Sequence, residues 1–275
     1  IEGDSDPNGV VTAPKCSMFI DATAPKLYRN RDGATAWGEV ARNAVSATFN
    51  GTNQYVGIGD PVALQFDQLD PFSVSIWVRT TAITGAMCIW AKREQQLSSP
   101  YRYRGWDLVL RDDLVPDELR VLIVSDSTTN NSLGMTFTVT DGVLTDGAWH
   151  HVVMTYDGSS VAAGIKLFLD GAERAGSATY DSLTGTLITT TPFVIGARGD
   201  PATMQKFWNG NLDECSAWSK KLSAAEATEL YNFGVPTEAA SHSANANLVG
   251  WWRMGDGDTY PTIVDHSTND NHGTM

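Results

Sequence analysis

The chain has 275 residues, of which 42% are hydrophobic, and its formal net charge is −13 at pH 7. That apolar content can fill a core, which excludes global disorder. A surface this acidic repels nucleic-acid phosphates and anionic membranes, so we expect neither as a partner. No apolar segment approaches the roughly 20 residues of a membrane span, and we expect no membrane insertion. Cys16, Cys88 and Cys215 are widely spaced and form no CxxC, which argues against a disulfide framework or a zinc site.

Residues 1–45 form a first region, whose sequence pattern differs from that of the rest of the chain. Three short strands are predicted, at residues 17–20, 26–29 and 36–40, with a turn at residues 31–33 before the last. So short a segment cannot bury a core by itself, and we expect it to pack against something else. We predict a small N-terminal β module, for which attachment and trimerisation are the candidate roles.

Residues 46–235 carry repeated strand signals. Residues 72–79 place Phe, Val, Ile and Val at every second position, which is typical of a half-buried strand. Further apolar runs at residues 119–124, 135–139 and 186–191 are separated by turn-rich gaps. Residues 149–156 and 165–169 each end at Asp-Gly, which is a strong hairpin signal. The pattern predicts an all-β fold, an antiparallel two-sheet sandwich.

A single short helix is predicted near the end of this region. Ser223 and Glu226 have the spacing of a capping box, in which each side chain binds a free amide of the first turn. The alanine-rich sequence after Ser223 favours a helix over residues 224–231, and Asn232 to Gly234 end it.

The hairpin sequence WHHVVMTYDG followed by KLFLDG resembles the central hairpin of the laminin G-like jelly rolls of the concanavalin A-like lectin/glucanase superfamily. Four other pieces resemble this family in the family's order, at residues 47–56, 72–78 and 193–196, and at 207–214 together with 218–223. The resemblance implies a jelly roll over residues 46–235. It also implies a tendency to bind ligands, but it does not imply a reaction.

Residues 236–275 resemble the beginning of such a jelly roll although they stand at the end of the chain. They hold a tryptophan strand at 248–254 and an Asp-Ser-x-Asn-x-Asn-x-Gly loop at 263–273. The domain is either circularly permuted, or the segment opens a second repeat, or it supplies a strand to a neighbouring subunit. Since no leading copy precedes the jelly roll, which would then lose an edge-covering strand, we favour permutation. Trp251 and Trp252 should then face opposite sides of their strand.

The N-terminal region has a second resemblance. The pattern Pro-x-x-Ser-hydrophobic-x-Ile-Asp, continued by Lys-Leu-Tyr-x-Asn-x-Asp-Gly-x-x-x-Trp, resembles a short module of bacteriophage virion proteins. There it accompanies fibres, spikes and decoration proteins, often in trimers. The alternative is an N-terminal hairpin of any β-protein.

Enzymatic chemistry finds little support in the sequence. A retaining glycosidase needs two carboxyl groups about 5 Å apart. Glucanases that this fold resembles carry Glu-x-Asp-x-Glu on one strand, and the chain has no such triplet. Asp213 and Glu214 are adjacent, so we expect them to face opposite sides of a strand, and the same holds for His150 and His151. We therefore predict no enzyme.

The family resemblance implies one Ca²⁺ ion, because such domains often hold calcium with carboxylates and loop carbonyls. Candidate ligands are Asp60, Asp213 and Asp265, with Asn269 and Asn271 of the asparagine-rich loop.

Sugar binding needs aromatic faces beside polar groups. Tyr101, Tyr103 and Arg104 supply both in a predicted loop, and Trp208 next to an asparagine is a further candidate.

Taken together, the sequence favours a non-enzymatic structural or adhesion protein of a bacteriophage virion surface, with a glycan-binding type of jelly roll. Its expected partners are other virion proteins, a cell-surface glycan, and further copies of the chain, as in a trimer. The alternative is a secreted, extracellular bacterial carbohydrate-binding or adhesion module. A glycoside hydrolase ranks last.

Overall fold

The computed structural model describes the side chains of residues 45–82, 85–94, 103–111, 117–140, 142–199 and 202–275. In residues 1–44, 95–96 and 102 it describes only the backbone of strands. Tyr101, one of the predicted sugar ligands, lies outside the described residues.

The strands are, in chain order, β1 (Glu2–Gly3), β2 (Met18–Asp21), β3 (Lys26–Asn30), β4 (Trp37–Val40), β5 (Ala47–Asn50), β6 (Val56–Gly59), β7 (Phe72–Arg79), β8 (Ala86–Gln96), β9 (Arg102–Arg111), β10 (Glu118–Asp126), β11 (Asn131–Thr138), β12 (His150–Tyr156), β13 (Ile165–Leu169), β14 (Ala172–Arg174), β15 (Gly176–Ser182), β16 (Phe193–Ile195), β17 (Asn209–Trp218), β18 (Leu248–Trp252), β19 (Thr262–Ile263) and β20 (Gly273–Thr274). The α-helix α1 spans Ala224–Tyr231. Short 3-10 helices lie at Val62–Leu64, Val143–Thr145, Ala162–Gly164, Asn232–Gly234, Ala239–Ser241 and Asn245–Asn247.

Two antiparallel sheets form the body of the fold. One has nine strands in the order β15-β11-β10-β9-β8-β16-β6-β20-β19. The other has seven, in the order β14-β13-β12-β7-β17-β18, with β5 paired to β17. Phe72, Val74 and Ile76 of β7 belong to the large core cluster, to which both sheets contribute, as period-2 alternation requires. This arrangement confirms the predicted two-sheet antiparallel sandwich.

The predicted central hairpin is present. Strands β12 and β13 pair antiparallel from Val152 opposite Leu169 to Tyr156 opposite Ile165. The connection between them includes the 3-10 helix Ala162–Gly164. The hairpin lies beside β7, because β12 also pairs with β7 along its whole length.

The helix α1 covers the outer face of the seven-stranded sheet. Ser223 accepts a hydrogen bond from the amide of Glu226, and the Glu226 carboxylate accepts one from the amide of Ser223, so the predicted capping box is complete. Ala227 and Leu230 of the helix share a buried cluster with Phe168 of β13. One face of the seven-stranded sheet is thus packed on the core and the other on the helix.

Residues 248–274 contribute strands to both sheets. Strand β18 pairs with β17, and β20 pairs with β6 and β19. Trp252 belongs to the core between the sheets and Trp251 to the cluster under the helix, so the two rings face opposite sides as predicted. Complete burial of each such side chain is worth about 2–3 kcal/mol, which ties this segment to the sandwich. That the segment is a permuted first strand stays a prediction.

The N-terminal strands form a separate four-stranded sheet in the order β1-β2-β3-β4. Strands β2, β3 and β4 lie within one residue of the three predicted ones. The role of this sheet in attachment or trimerisation stays a prediction.

Two further observations concern membrane-spanning helices and the cysteines. In the part of the chain that the structure describes, no helix has the length and apolar character needed to cross a membrane. Cys88 and Cys215 are buried free thiols, and Cys16 lies outside the described residues.

Candidate functional site

A hollow of about 370 Å³ lies on the outer face of the nine-stranded sheet. It extends over five neighbouring strands, β15-β11-β10-β9-β8, whose alternate side chains point away from the core. We call it the basic hollow, and its lining consists of Arg93, Tyr103, Arg120, Leu122, Val124, Ser127, Asn130, Ser132, Tyr180 and Arg198.

A buried ion-pair network forms one wall of the basic hollow. Asp107 of β9 is completely buried, and its Oδ2 accepts hydrogen bonds from Nη1 of Arg93 and, at 3.3 Å, from Nη1 of Arg198. Burial alone would raise the pKa of Asp107, but the charges of Arg93 and Arg198 outweigh it and hold the pKa below its usual value. The carboxylate is therefore ionised and shared by two arginines.

A third arginine adds positive charge. Arg120 projects into the hollow from β10, and its Nε has no hydrogen-bond partner among the described residues. The same holds for Nε of Arg93 and of Arg198. Burial lowers the pKa of Arg120, and the charges of Arg111, Arg93 and Arg198 add to this while Asp107 opposes it. The guanidinium stays charged, because arginine is not deprotonated in proteins.

Two tyrosines flank the arginines. The ring of Tyr103 lies under the guanidinium of Arg93, with 4.4 Å between Cζ and the ring centroid. Tyr180 of β15 leaves 46% of its surface exposed and lies over Gly134 of β11. A Cβ on Gly134 would approach a Tyr180 ring carbon to 2.7 Å, so only glycine lets this ring lie on the sheet. The hollow thus offers two aromatic rings beside cationic groups.

The structure brings only part of the predicted sugar-binding set together. Tyr103 lines the basic hollow, but Arg104 does not, because adjacent residues of a strand face opposite sides. Its Nε instead donates to the carbonyl of Ser125 at 3.2 Å. Trp208 is completely buried in the core, where no ligand can reach its ring, which corrects the prediction for this residue.

Sequence reasoning missed Arg93, Arg120, Arg198 and Tyr180. One signal was present in the run Leu-Arg-Val-Leu-Ile-Val that contains Arg120, since a charged residue inside an apolar strand needs a partner or a ligand. The convergence of the arginines depends on the pairing of distant strands, which the sequence does not show.

The predicted calcium ligands do not form one site. Asp60 follows β6 in the nine-stranded sheet, and its carboxylate accepts hydrogen bonds from Nζ of Lys92 and from Gln65. Asp213 belongs to β17 in the other sheet, and its Oδ1 accepts from the amide of Glu214 at 2.9 Å. Among the described residues, no three His, Cys, Asp or Glu side chains form a group that could hold a metal ion.

Asp265 organises the C-terminal loop with hydrogen bonds. Its Oδ1 accepts from the amides of Trp251 and Ser267, both at 2.8 Å. Its Oδ2 accepts from the Ser267 hydroxyl and the Asn271 amide, both at 2.9 Å. The side-chain amides of Asn269 and Asn271 donate to the carbonyl of Val249. Four donors already bind this carboxylate, and the other predicted carboxylates lie elsewhere, so the prediction that these ligands form one site is corrected, whereas calcium binding itself stays a prediction.

A second cavity, of about 340 Å³, lies on the outer face of the seven-stranded sheet. Trp77, Arg79, Trp149 and Asp213 line it together with residues of two loops. Arg79 is already engaged, since its Nε donates to the carbonyl of Gly147 at 2.9 Å. This cavity is less basic than the hollow of the other sheet, because Asp213 balances its arginine.

The expectation that Asp213 and Glu214 face opposite sides is wrong, because a β-bulge interrupts β17 there. Asp213 pairs with Trp77 and Ser216 with Ser75, so three steps on β17 match two on β7. Glu214 adopts a φ of +46°, and its carboxylate accepts from Nε1 of Trp251 at 2.5 Å. Burial raises the pKa of Glu214 to about 7. Both acids therefore project from the outer face.

The two histidines have separate structural roles. His151 is buried, its Nε2 lies 2.7 Å from the hydroxyl of Ser75, and burial lowers its pKa to about 3. Nδ1 of His150 lies 2.8 Å from Oδ2 of Asp170, and this hydrogen bond raises the pKa of His150. Neither ring lines the basic hollow.

Comparison with known proteins finds similar solved structures. No curated protein matches it in sequence. A putative carbohydrate binding protein of Bacteroides ovatus is 17% identical over 96% of this chain and 68% of its own, with a TM-score of 0.55. The CBM40 of the Ruminococcus gnavus IT-sialidase is 12% identical over 68% and 98% of the two chains, with a TM-score of 0.47. The SAP-like pentraxin of Limulus polyphemus is 11% identical over 67% and 80%, also with a TM-score of 0.47.

The family assignment rests on the sequence of the sandwich itself. Residues 50–228 match the laminin G model of the concanavalin A-like lectin/glucanases superfamily, and this stretch covers most of the two sheets and all of the basic hollow. Because the match spans more than half of the chain, the protein belongs to the concanavalin A-like lectin/glucanases superfamily.

Proposed function

We propose that the protein is a non-catalytic carbohydrate-binding module whose ligand occupies the basic hollow. The observation that carries the proposal is the composition of this hollow, in which Tyr103 and Tyr180 flank charged and polar donors on an open sheet face. The description of the similar Bacteroides ovatus structure as a putative carbohydrate binding protein supports the same function.

The lining of the hollow matches the two surfaces of a sugar. A pyranose ring has an apolar face of C–H groups and a rim of hydroxyl groups. Tyr180 offers an aromatic surface for the apolar face, and Leu122 and Val124 provide an apolar floor. Ser127 and Asn130 supply neutral hydrogen-bonding groups for the hydroxyls. At about 370 Å³, the hollow suits an end group of a glycan rather than a long chain segment.

We propose binding without hydrolysis. None of the described residues that line the hollow carries a carboxyl group, and Asp107 beneath them is buried and held by two arginines. A glycosidase needs two carboxyl groups that reach the glycosidic bond. The superfamily includes glucanases, however, so hydrolysis is an outcome that the experiments must be able to detect.

We propose that the protein is an extracellular bacterial module, and we rank this location above that of a virion component. The support is that the family model matches the jelly roll, and that the similar structure, which covers 96% of this chain, is described as a putative carbohydrate binding protein of Bacteroides ovatus; neither relates the chain to a virion module. A virion spike, fibre or decoration protein, assembled as a homo-oligomer, is the second proposal. The native assembly that contains the chain, identified by mass spectrometry, distinguishes the two.

The binding proposal is tested on an array of immobilised glycans with the full chain and two variants. Tyr180→Ala removes the exposed ring of the hollow, and Tyr260→Ala removes another exposed tyrosine that stands just before β19, at the opposite edge of the same sheet. We expect the wild type and Tyr260→Ala to bind the same glycans and Tyr180→Ala to lose about tenfold or more in affinity. A wild type that binds no glycan, or a Tyr180→Ala variant that binds as the wild type does, would overturn the proposal.

A further inference from the structure

We propose that the basic hollow selects acidic glycans, holding a carboxylate or sulfate group of the sugar with Arg120 and the neighbouring Arg93. This inference rests on the proposed function, which would hold equally for a neutral sugar. It names the chemical class of the ligand, an oxyanion attached to a sugar ring.

The charge of the hollow is the first argument. Three guanidinium groups, of Arg93, Arg120 and Arg198, line it, and Asp107 is the one carboxylate that contacts them within the described part of the chain. The described ion pairs of the hollow join Asp107 to Arg93 and Arg198 and leave Arg120 out. Among the described residues, the three guanidinium groups and the one carboxylate leave an excess of two positive charges in the hollow.

The unpartnered donors are the second argument. Arg93 and Arg198 are only 4% and 7% exposed, yet the Nε of each has no hydrogen-bond partner among the described residues. Nε of Arg120 is likewise buried without a partner. Burying charged guanidinium groups costs free energy, and an oxyanion bound in the hollow offsets part of that cost because it compensates their charge. Neutral sugar hydroxyls bind guanidinium groups more weakly than a carboxylate or sulfate does.

The backbone of β9 is tightly packed against β8 beside Arg93. Gly105 of β9 pairs with Arg93 on one side and with Val124 on the other, and its φ is +111°. A Cβ at this position would lie 1.9 Å from the carbonyl oxygen of Lys92, so any other residue would force the strands apart.

The overall charge of the chain does not oppose this inference. The chain has a formal net charge of −13, which would repel an anion at long range. At physiological ionic strength, charges are screened over about 8 Å, so the arginines in contact with the ligand decide the interaction. The positive charge of the basic hollow can therefore attract an anionic ligand although the protein as a whole is acidic.

The test compares matched sugars by isothermal titration calorimetry. Lactose and 3′-sulfated lactose differ in one anionic group, and digalactose and digalacturonate differ in two. Arg120→Gln removes one positive charge from the hollow. Lys166→Gln is the charge-matched control, because this half-buried lysine lies on the seven-stranded sheet and pairs with Glu173. Thermal melting confirms that each variant is folded.

We expect at least one acidic sugar to bind about tenfold more tightly than its neutral counterpart, a difference typical of one charge-assisted contact. Arg120→Gln should abolish this preference and change the affinity for the neutral sugar less than about twofold, and Lys166→Gln should preserve it. Equal binding of both sugars in a pair would overturn this inference and leave the proposed function standing. No binding of any sugar would overturn both. If Arg120→Gln and Lys166→Gln change the preference for the acidic sugar equally, Arg120 does not hold the anionic group.

A second measurement needs only the wild-type protein, so it tests the inference even if Arg120→Gln fails to fold. Sodium sulfate should compete with the acidic sugar for the wild-type protein more strongly than sodium chloride does at equal ionic strength. Equal effects of the two salts would mean that no oxyanion site exists in the hollow and would overturn the inference.

Discussion

Replacing Trp252 by alanine should remove a large part of the free energy of unfolding. The side chain is completely buried in the core, where its ring lies 5.6 Å from that of Phe193, and its Nε1 donates to the carbonyl of Asn271 at 2.9 Å. A large-to-small change of this kind costs about 3–5 kcal/mol. The lost hydrogen bond adds about 1 kcal/mol. A domain is stable by only about 5–15 kcal/mol, so the variant should be close to unfolding.

Urea unfolding followed by tryptophan fluorescence and circular dichroism measures this effect. Tyr260→Ala is the control, and since this side chain is 78% exposed, we expect a change within about 0.5 kcal/mol. Gly250→Ala tests the same packing without touching the tryptophan, because a Cβ there would lie 2.3 Å from a ring carbon of Trp252. We expect it to cost about 1–3 kcal/mol.

If Trp252→Ala unfolds within about 1 kcal/mol of the wild type, residues 248–274 do not belong to the cooperative unit, and the reasoning that leads to a permuted jelly roll fails. Deletion of residues 247–275 tests the same point less finely. We expect the shortened chain to lose cooperative folding.

Three further predictions concern the acidic groups. Glu214→Gln should flatten the pH dependence of the melting temperature. The Glu214 carboxyl group has a pKa of about 7 in the folded protein and near 4.5 in the unfolded chain, so the wild type loses stability as the pH rises between these values. Equal slopes of melting temperature against pH for the two proteins would contradict a protonated, buried Glu214. EDTA and added calcium should leave the melting temperature unchanged, because hydrogen-bond donors such as the amides of Trp251 and Asn271 already occupy the Asp265 carboxylate. A melting temperature that rises with calcium would contradict this role of Asp265. Incubation with β-glucan, alginate or agar should yield no products, whereas turnover that disappears in Asp213→Ala would establish a hydrolase.

The fold was largely predictable from the sequence because its signals are local. The capping box of Ser223 and Glu226 and the alternation of β7 each depend on a few neighbouring residues. The hairpin of β12 and β13 has turn residues at both ends. The opposite orientation of Trp251 and Trp252 follows from strand geometry alone, once their segment is taken as a strand.

The site was predictable only in part because it depends on pairing between distant segments. Tyr103 was found through its local aromatic and basic surroundings, whereas Arg198 reaches the hollow from 105 positions after Arg93. Trp208 looked like a surface tryptophan because an asparagine follows it, but its ring faces the core. The orientation of Glu214 depends on a bulge, which shifts the alternation by one residue and leaves no mark in the sequence.

The most direct test of the central claim is a crystal structure of the protein with an acidic oligosaccharide that it binds. We predict sugar density in the basic hollow, with a ring against Tyr180 and the anionic group about 3 Å from the guanidinium of Arg120. Density in the cavity beside Trp77 and Trp149, or at the loop around Asp265, with an empty basic hollow, would contradict the account.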